Sequence, residues 1–149
     1  MTPTPATAVP TITGVSHVDL TVTDLDRSEA FYTELLGAVP LLQGANETHG
    51  TTVRYVLHAD SFLIIGLVRH DAPIDEPFDP RRVGLDHLAF NVADRTGLDE
   101  WKARLVELGV VHSEIHEEEM WDVLAARDPD GIQIEFFVTK PAAAALIGG

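Results

Sequence analysis

One short pattern occurs twice in this chain, and it limits the folds that the chain can adopt. Residues 14–22 read GVSHVDLTV and residues 84–92 read GLDHLAFNV, so each copy has a glycine, a histidine three positions later, and then alternating apolar residues. Alternation with a period of two is typical of a β-strand that buries one face. The repeat therefore predicts two similar modules that each begin with a strand.

Each copy of the pattern is followed by signals for one helix and three further strands. In the first half, Asp24 suits a helix N-cap, Gly37 suits a helix stop, and three strand-like runs follow as far as residue 69. In the second half, a predicted helix at 96–108 precedes three strands, the first of them near 111–116. Both halves therefore read as β-α-β-β-β.

This order of elements predicts an α+β fold in which two βαβββ modules form curved mixed sheets around a cavity, with the helices outside. A stretch with three prolines separates the modules, and the C-terminal tail reads as a frayed end or a short docking helix. The predicted boundaries are a flexible N-terminus at 1–11, a first module at 12–69, a linker at 70–83, a second module at 84–140 and a tail at 141–149.

An excess of acidic side chains restricts the classes of partner. The chain has 24 Asp and Glu against 10 Lys and Arg, a formal net charge of −14, which repels nucleic-acid phosphates and anionic membranes. The absence of cysteine excludes disulfides, thiolate metal sites and a cysteine nucleophile. No apolar run is long enough to cross a bilayer, and no signal-peptide pattern is present. We therefore expect a cytoplasmic protein that binds a small molecule, without nucleic-acid or membrane partners.

Strand parity places three potential metal ligands on faces that folding does not need. His17 and His87 alternate with the apolar residues of the repeated strands, and Glu135 alternates with those of the last strand. Two imidazoles and one carboxylate suit a divalent cation that keeps open positions for water or substrate. From parity alone, a structural or solvent-exposed role is the commoner interpretation for any single histidine on a strand.

Three segments carry a resemblance to a known family: GVSHVDLTVTDLDRSEAFYTELLGA, GLDHLAFNVADRTGLDEWKARLVELGV and ARDPDGIQIEFF. Together they resemble the vicinal oxygen chelate superfamily, over residues 12–140. That superfamily includes glyoxalase I, extradiol dioxygenases, fosfomycin-resistance transferases, methylmalonyl-CoA epimerase and bleomycin-binding proteins. The resemblance implies that the cavity between the sheets holds a metal and a substrate.

The resemblance also implies ligands on the first and last strands of each module. His17, His87 and Glu135 match three of the four positions, whereas the fourth falls at Ile65 or Gly66, which offer no side-chain ligand. This departure disfavours the four-ligand sites of glyoxalase I and the epimerase. It favours the set of two histidines and one glutamate seen in extradiol dioxygenases and fosfomycin transferases. The metal is Fe(II), Mn(II) or Zn(II), among which the sequence does not choose.

The function implied by this resemblance is that of a metal-dependent enzyme of the glyoxalase or dioxygenase type, which chelates adjacent oxygen atoms of its substrate on a 2-His-1-Glu centre. The alternative is a metal-free drug-binding protein of the bleomycin-resistance type. In the superfamily that this chain resembles, small two-module chains form dimers, so a homodimer is expected. Exchange of modules between its two copies is left open.

Further residues are candidates for the pocket or for the reaction. The run HEEEM at 116–120 contains candidates for a general base, but a charge run is more often a solvated loop, so no base is assigned. Arg54, Arg69 and Arg127 are scattered along the chain and form no obvious phosphonate cluster. The candidate substrate-pocket residues are Tyr55, Asn91, Trp121, Phe137 and Arg54. The histidines interpreted as surface or local structural residues are His49, His58, His70, His112 and His116.

Overall fold

The computed structural model describes residues 11–74 and 76–147. The predicted flexible segment at 1–11 lies outside the described residues, apart from Thr11. The first half of the chain forms one helix and four strands. Their bounds are β1 Val18–Thr21, α1 Leu25–Leu36, β2 Val39–Asn46, β3 Thr51–His58 and β4 Leu63–His70.

The second half of the chain repeats this order and adds a helix at its end. The short strand expected near 111–116 is displaced, since an isolated bridge at His112 comes first and the strand itself is only two residues long. The elements are β5 His87–Asn91, α2 Arg95–Glu107, β6 His116–Glu117, β7 Trp121–Arg127, β8 Gln133–Thr139 and α3 Pro141–Ile147.

Each half forms its own four-stranded mixed sheet. The strand orders are β1-β4-β3-β2 and β5-β8-β7-β6, so the first strand of each module lies parallel to the last one. The remaining neighbours are antiparallel. A parallel neighbour requires a long crossover connection, which the helix and the two intervening strands supply in each module. The predicted α+β fold with two βαβββ modules is confirmed.

The first long helix begins and ends at the residues that the sequence predicts, and the second begins and ends one residue before its predicted bounds of 96–108. The side chain of Asp24 accepts a hydrogen bond from the Arg27 amide at the start of α1, and Gly37 ends that helix with a φ of 67°. The side chain of Asp94 caps α2 in the same way, by accepting from the Gly97 amide. Gly109, at a φ of 65°, follows α2 in the left-handed region. These local stops fix where each chain segment returns to its sheet.

The core lies between each sheet and its helix. In β4, β7 and β8 alternate residues on the helix side are buried, and in the second module the Phe136 ring stacks on Trp101 at 4.2 Å and meets Phe90 at 5.8 Å. The other face is more exposed, as parity predicts, although Gly66 on that face of the first sheet is buried. The largest fully buried apolar side chains are Tyr32, Phe136, Leu20, Ile65, Leu67, Leu98, Leu105, Leu124, Ile134 and Val56.

A turn of the second module is attached to the helix of the first. The Tyr32 hydroxyl of α1 donates to Asp128 Oδ2 at 3.0 Å, and Arg27 donates to Asp130 at 2.8 Å. Asp128 also accepts from the Ile132 amide at 2.8 Å. Burial raises the pKa of the Asp128 carboxyl, and burial together with the nearby Asp128 charge raises the pKa of the Tyr32 hydroxyl. This polar cluster joins the two halves of one copy.

The segments before and after the second module differ in secondary structure. The described residues between β4 and β5 contain no helix or strand, whereas the C-terminal tail forms the helical alternative, α3, with Ala143 buried. Lys140 precedes that helix and its ammonium contacts the buried Asp122 carboxylate at 2.7 Å. Among the described helices, none combines the length and the apolar character needed to span a membrane.

Candidate functional site

In the second module, strand pairing brings a histidine and a glutamate together. The His87 Nε2 atom lies 3.5 Å from Glu135 Oε2, because β5 and β8 are adjacent and both side chains leave the face opposite α2. Gln133 donates to Glu135 Oε1 at 2.7 Å, and the Glu135 side chain is 13% exposed. A mostly buried carboxylate needs such partners, since its burial without them is costly.

The first module places His17 immediately before β1, on the corresponding face. Its Nε2 atom lies 3.8 Å from Asp19 Oδ1, and its ring meets the Tyr55 ring edge to face at a centroid distance of 5.9 Å. The side chains of His17 and Asp19 are 45% and 42% exposed. The first module therefore also places one imidazole next to one carboxylate, on a face that the described chain leaves open.

Each of these histidines is held by the residue before it. The His87 Nδ1 atom lies 2.6 Å from Asp86 Oδ1, and the His17 Nδ1 atom lies 3.1 Å from Ser16 Oγ. An ionised carboxylate only accepts hydrogen bonds, so a neutral His87 that donates to Asp86 from Nδ1 would offer its Nε2 lone pair to a metal ion. Metal-binding histidines are commonly oriented by a bond of this kind. Sequence reasoning missed Ser16 and Asp86, although a polar residue directly before each repeated histidine was a usable signal.

The strand register decides between Ile65 and Gly66 for the fourth ligand position. Gly66 is paired with Asp19, and Glu135 is paired with Ala89, two residues after the repeated histidine in both modules. Ile65 is 1% exposed and belongs to the core. The residue that corresponds to Glu135 is therefore Gly66.

The aromatic pocket candidates lie on the open faces. Trp121 and Phe137 stack on each other at a centroid distance of 6.1 Å, on the face of the second sheet that carries Glu135. Asn91 lines a groove with a volume of about 370 Å³, which His17 also lines. Tyr55 stands beside His17 on the first sheet. Of these four residues only Asn91 lines that groove, and the pocket role of all four stays a prediction.

Arg54 is placed differently, because it points to the helix. Its guanidinium contacts Asp26 at 2.7 Å and Glu29 at 3.5 Å, both on α1. Arg54 and Arg69 line one small depression at the start of α1, whereas Arg127 donates to the Gly131 carbonyl. These two ion pairs hold the Arg54 guanidinium against α1.

The three ligand candidates do not meet in one copy. Within residues 11–74 and 76–147, no group of three or more His, Asp or Glu side chains is placed to hold a metal ion. His87 and Glu135 stand together on the second sheet, while His17 belongs to the first. Each half offers donors that suit a divalent cation, namely a free imidazole nitrogen and a carboxylate. These donor atoms fit a metal ion, and in one copy they stand in two separate groups, one on each sheet.

Comparison with known proteins gives a family match over most of the chain. The model of the glyoxalase/bleomycin resistance protein/dioxygenase superfamily matches residues 14–136. A crystal structure of a glyoxylase/bleomycin resistance protein/dioxygenase domain from Frankia sp. EAN1pec is 37% identical in sequence. It covers 88% of this chain and 95% of its own, with a TM-score of 0.80.

More distant structures share the fold. A glyoxalase family protein from Enterococcus faecalis is 22% identical over 84% of this chain and 97% of its own, with a TM-score of 0.71. A variant of the fosfomycin resistance protein FosX from Listeria monocytogenes, complexed with Mn(II) and 1S,2S-dihydroxypropylphosphonic acid, is 21% identical. It covers 91% of this chain and 99% of its own, with a TM-score of 0.66.

Proposed function

Because the chain belongs to the glyoxalase/bleomycin resistance protein/dioxygenase superfamily, we propose that it is a metal-dependent enzyme acting on a small molecule with two adjacent oxygen atoms. The observation that carries this proposal is the His87–Glu135 pair, with 3.5 Å between Nε2 and Oε2. Asp86 contacts His87 and Gln133 donates to Glu135, so each residue of the pair has a polar partner that orients it. A histidine oriented by a carboxylate, beside a second carboxylate, is the arrangement of a metal-ligand pair.

We propose a homodimer with exchanged modules as the form that completes the site. Members of the superfamily bind small molecules and usually form dimers. In this dimer each centre takes His17 from one copy and His87 and Glu135 from the other. The first sheet supports this assembly, since its edge strand β2 is exposed along its length and carries Val39, Leu41 and Leu42 at 45–57% exposure.

The residues of the chain have distinct parts in the proposed chemistry. A divalent ion held by His17, His87 and Glu135 supplies Lewis acidity to adjacent substrate oxygens. Ser16 and Asp86 keep the two imidazole Nε2 atoms directed at the centre. The stacked rings of Trp121 and Phe137 form an apolar wall, which excludes water and strengthens electrostatic interactions there. The general base is not assigned.

The decisive experiment is metal analysis of the purified protein beside His87→Ala and Glu135→Ala, with His49→Ala as a control from an exposed turn. Mn(II) is tested first, because the FosX structure contains it, followed by Fe(II) and Zn(II). Equimolar metal is expected in the parent and the control, and loss of metal in both site variants. Oxygen uptake with catechols and turnover of hemithioacetals then distinguish the dioxygenase type from the glyoxalase type.

A second function is favoured by one separate observation. The stacked Trp121 and Phe137 rings and the net charge of −14 suit a cationic aromatic drug without any metal. This drug-binding protein would hold bleomycin with equal affinity before and after treatment with a chelator. Metal that is substoichiometric in the parent, unaffected by His87→Ala and not restored by Mn(II), Fe(II) or Zn(II) would refute the enzyme and favour this alternative.

A further inference from the structure

The two modules have opposite patterns of side-chain size around the ligand position. In the first module, a glycine is flanked by two larger residues on the neighbouring strands. In the second, a glutamate is flanked by two alanines. The paired residues are Asp19, Gly66 and Tyr55 in the first module and Ala89, Glu135 and Ala125 in the second.

The carboxylate of Asp19 fills the space that a side chain at Gly66 would need. A Cβ atom added at Gly66 would overlap Asp19 Oδ1 and approach Tyr55 Cε1 to 2.9 Å. In the second module, the small neighbours leave that space to Glu135 itself. An acidic group thus stands at the same place in both modules, supplied by β1 in the first and by β8 in the second.

The histidine–carboxylate distances of the two modules are also similar. They are 3.8 Å for His17 Nε2 to Asp19 Oδ1 and 3.5 Å for His87 Nε2 to Glu135 Oε2. Two neighbouring ligands that each lie about 2.1 Å from one ion are about 3 Å apart, so small rotations bring either pair into range. In the described part of the chain, Asp19 accepts no hydrogen bond, which leaves its oxygens available for a ligand.

We propose that Asp19 is the fourth metal ligand, which the first module supplies from β1 because Gly66 cannot. This inference rests on the proposed metal-dependent function and narrows it. Two histidines and two carboxylates leave two open positions on a six-coordinate ion, whereas a 2-His-1-carboxylate set leaves three. Two positions accept adjacent substrate oxygens and leave none for O₂. The centre therefore suits non-oxidative Lewis-acid chemistry on a chelating substrate, of the glyoxalase rather than the dioxygenase type.

The first test is titration of the metal-free dimer with Mn(II), with free Mn(II) measured by electron paramagnetic resonance. Asp19→Asn, which keeps the side-chain shape, should weaken binding by about tenfold or more, while the exposed turn variant Asp60→Asn binds like the parent. The Co(II) absorption spectrum should change in Asp19→Asn, because the ligand set changes. Thermal unfolding of the metal-free variants checks that both are folded.

The second test moves the carboxylate from β1 to β4. The triple variant Asp19→Ala, Tyr55→Ala, Gly66→Glu reproduces the pattern of the second module and should regain the Mn(II) affinity that Asp19→Ala alone loses. Parent-like affinity in Asp19→Asn, with loss of metal in His87→Ala and Glu135→Ala, would overturn the Asp19 assignment and leave the proposed function intact. Catechol-dependent oxygen uptake by the Fe(II)-loaded parent would also overturn it. A parent that binds no metal would overturn both proposals.

Discussion

The two modules share strand order, helix caps and a repeated histidine, yet they differ at the position that matters for chemistry. Glu135 of the second module corresponds to Gly66 of the first, and the neighbouring Asp19 lies over that glycine. The repeated parts are those that folding requires, because alternate apolar residues must face a helix. The open face is free of that constraint, so the two copies differ there without any change of fold.

The turns before the last strand of each module differ as well. In the second module, Asp128 and Asp130 bind α1 through Tyr32 and Arg27. In the first, the corresponding turn presents Phe62, which is 80% exposed at a φ of 56°. A non-glycine residue in that backbone region is uncommon and carries strain. The modules are therefore related in sequence, but within one copy only the turn of the second module makes hydrogen bonds to the helix of the other module in the part of the chain that the structure describes.

The largest effect is expected from mixing two variants that do not bind metal and that each lack one ligand in a different module. His17→Ala and Glu135→Ala dimers should each fail to bind metal. After unfolding and refolding together, heterodimers with exchanged modules have one centre with both lesions and one centre with none. Metal binding should therefore reappear, measurable by Mn(II) titration of the purified heterodimer.

The control for this experiment is a mixture of His87→Ala and Glu135→Ala, which damages the second module in both copies. No intact centre can form in that heterodimer. Reappearance of metal only in the first mixture supports the exchange. If the first mixture also stays empty while heterodimers are present, the two halves of each centre come from the same copy.

The next largest effect concerns the cores of the two modules. Phe136 and Leu67 hold corresponding strand positions and are both fully buried. Phe136→Ala should lower the free energy of unfolding by about 3–5 kcal/mol, since it removes the stack on Trp101 and leaves a cavity. Leu67→Ala should cost less, within about 2–5 kcal/mol. Urea unfolding measures both, and equal losses would contradict the idea that the aromatic stack makes the second core more sensitive.

A smaller effect is expected at the contact between the modules. Tyr32→Phe removes the donor to Asp128 and leaves a buried carboxylate oxygen unsatisfied, which costs about 1–3 kcal/mol of unfolding free energy. The matched control is Tyr55→Phe, the other tyrosine of the chain, which is only half-buried. Equal stabilities of the two variants by urea unfolding would show that the Tyr32–Asp128 bond does not join the halves.

The smallest effect is a pH dependence that arises from Asp128 in the turn of the second module. Burial raises the pKa of Asp128 above 3.8, so the folded state holds this proton more tightly than the unfolded state. The contribution of the group to stability is complete below pH 3.8 and is lost as pH rises through the raised value. The unfolding free energy of the parent should thus fall relative to Asp128→Asn as pH increases. A constant difference between the two across a urea series from pH 3.5 to 7 would contradict this sign.

Much of the fold was predictable from local signals. Asp24 and Gly37 bound α1 as expected, and strand alternation indicated which faces carry His87 and Glu135. The short β6 was less accurately predicted, because a strand of two residues carries almost no pattern. The tail was left open between a frayed end and a helix, because a helix of seven residues is marginal by itself even when it is rich in alanine. The boundaries of the modules and linker stay predictions, as does the ligand role of the three site residues.

What the sequence determined by itself was the doubling of the module and the face on which each histidine stands, because a period of two is a property of the backbone alone. Only the tertiary structure decided that Gly66, and not Ile65, corresponds to Glu135, since register depends on which strands pair. It also decided that Arg54 turns to α1 and that Asp19 lies over Gly66 beside His17. Those placements depend on contacts between residues far apart in the chain, which no local pattern records.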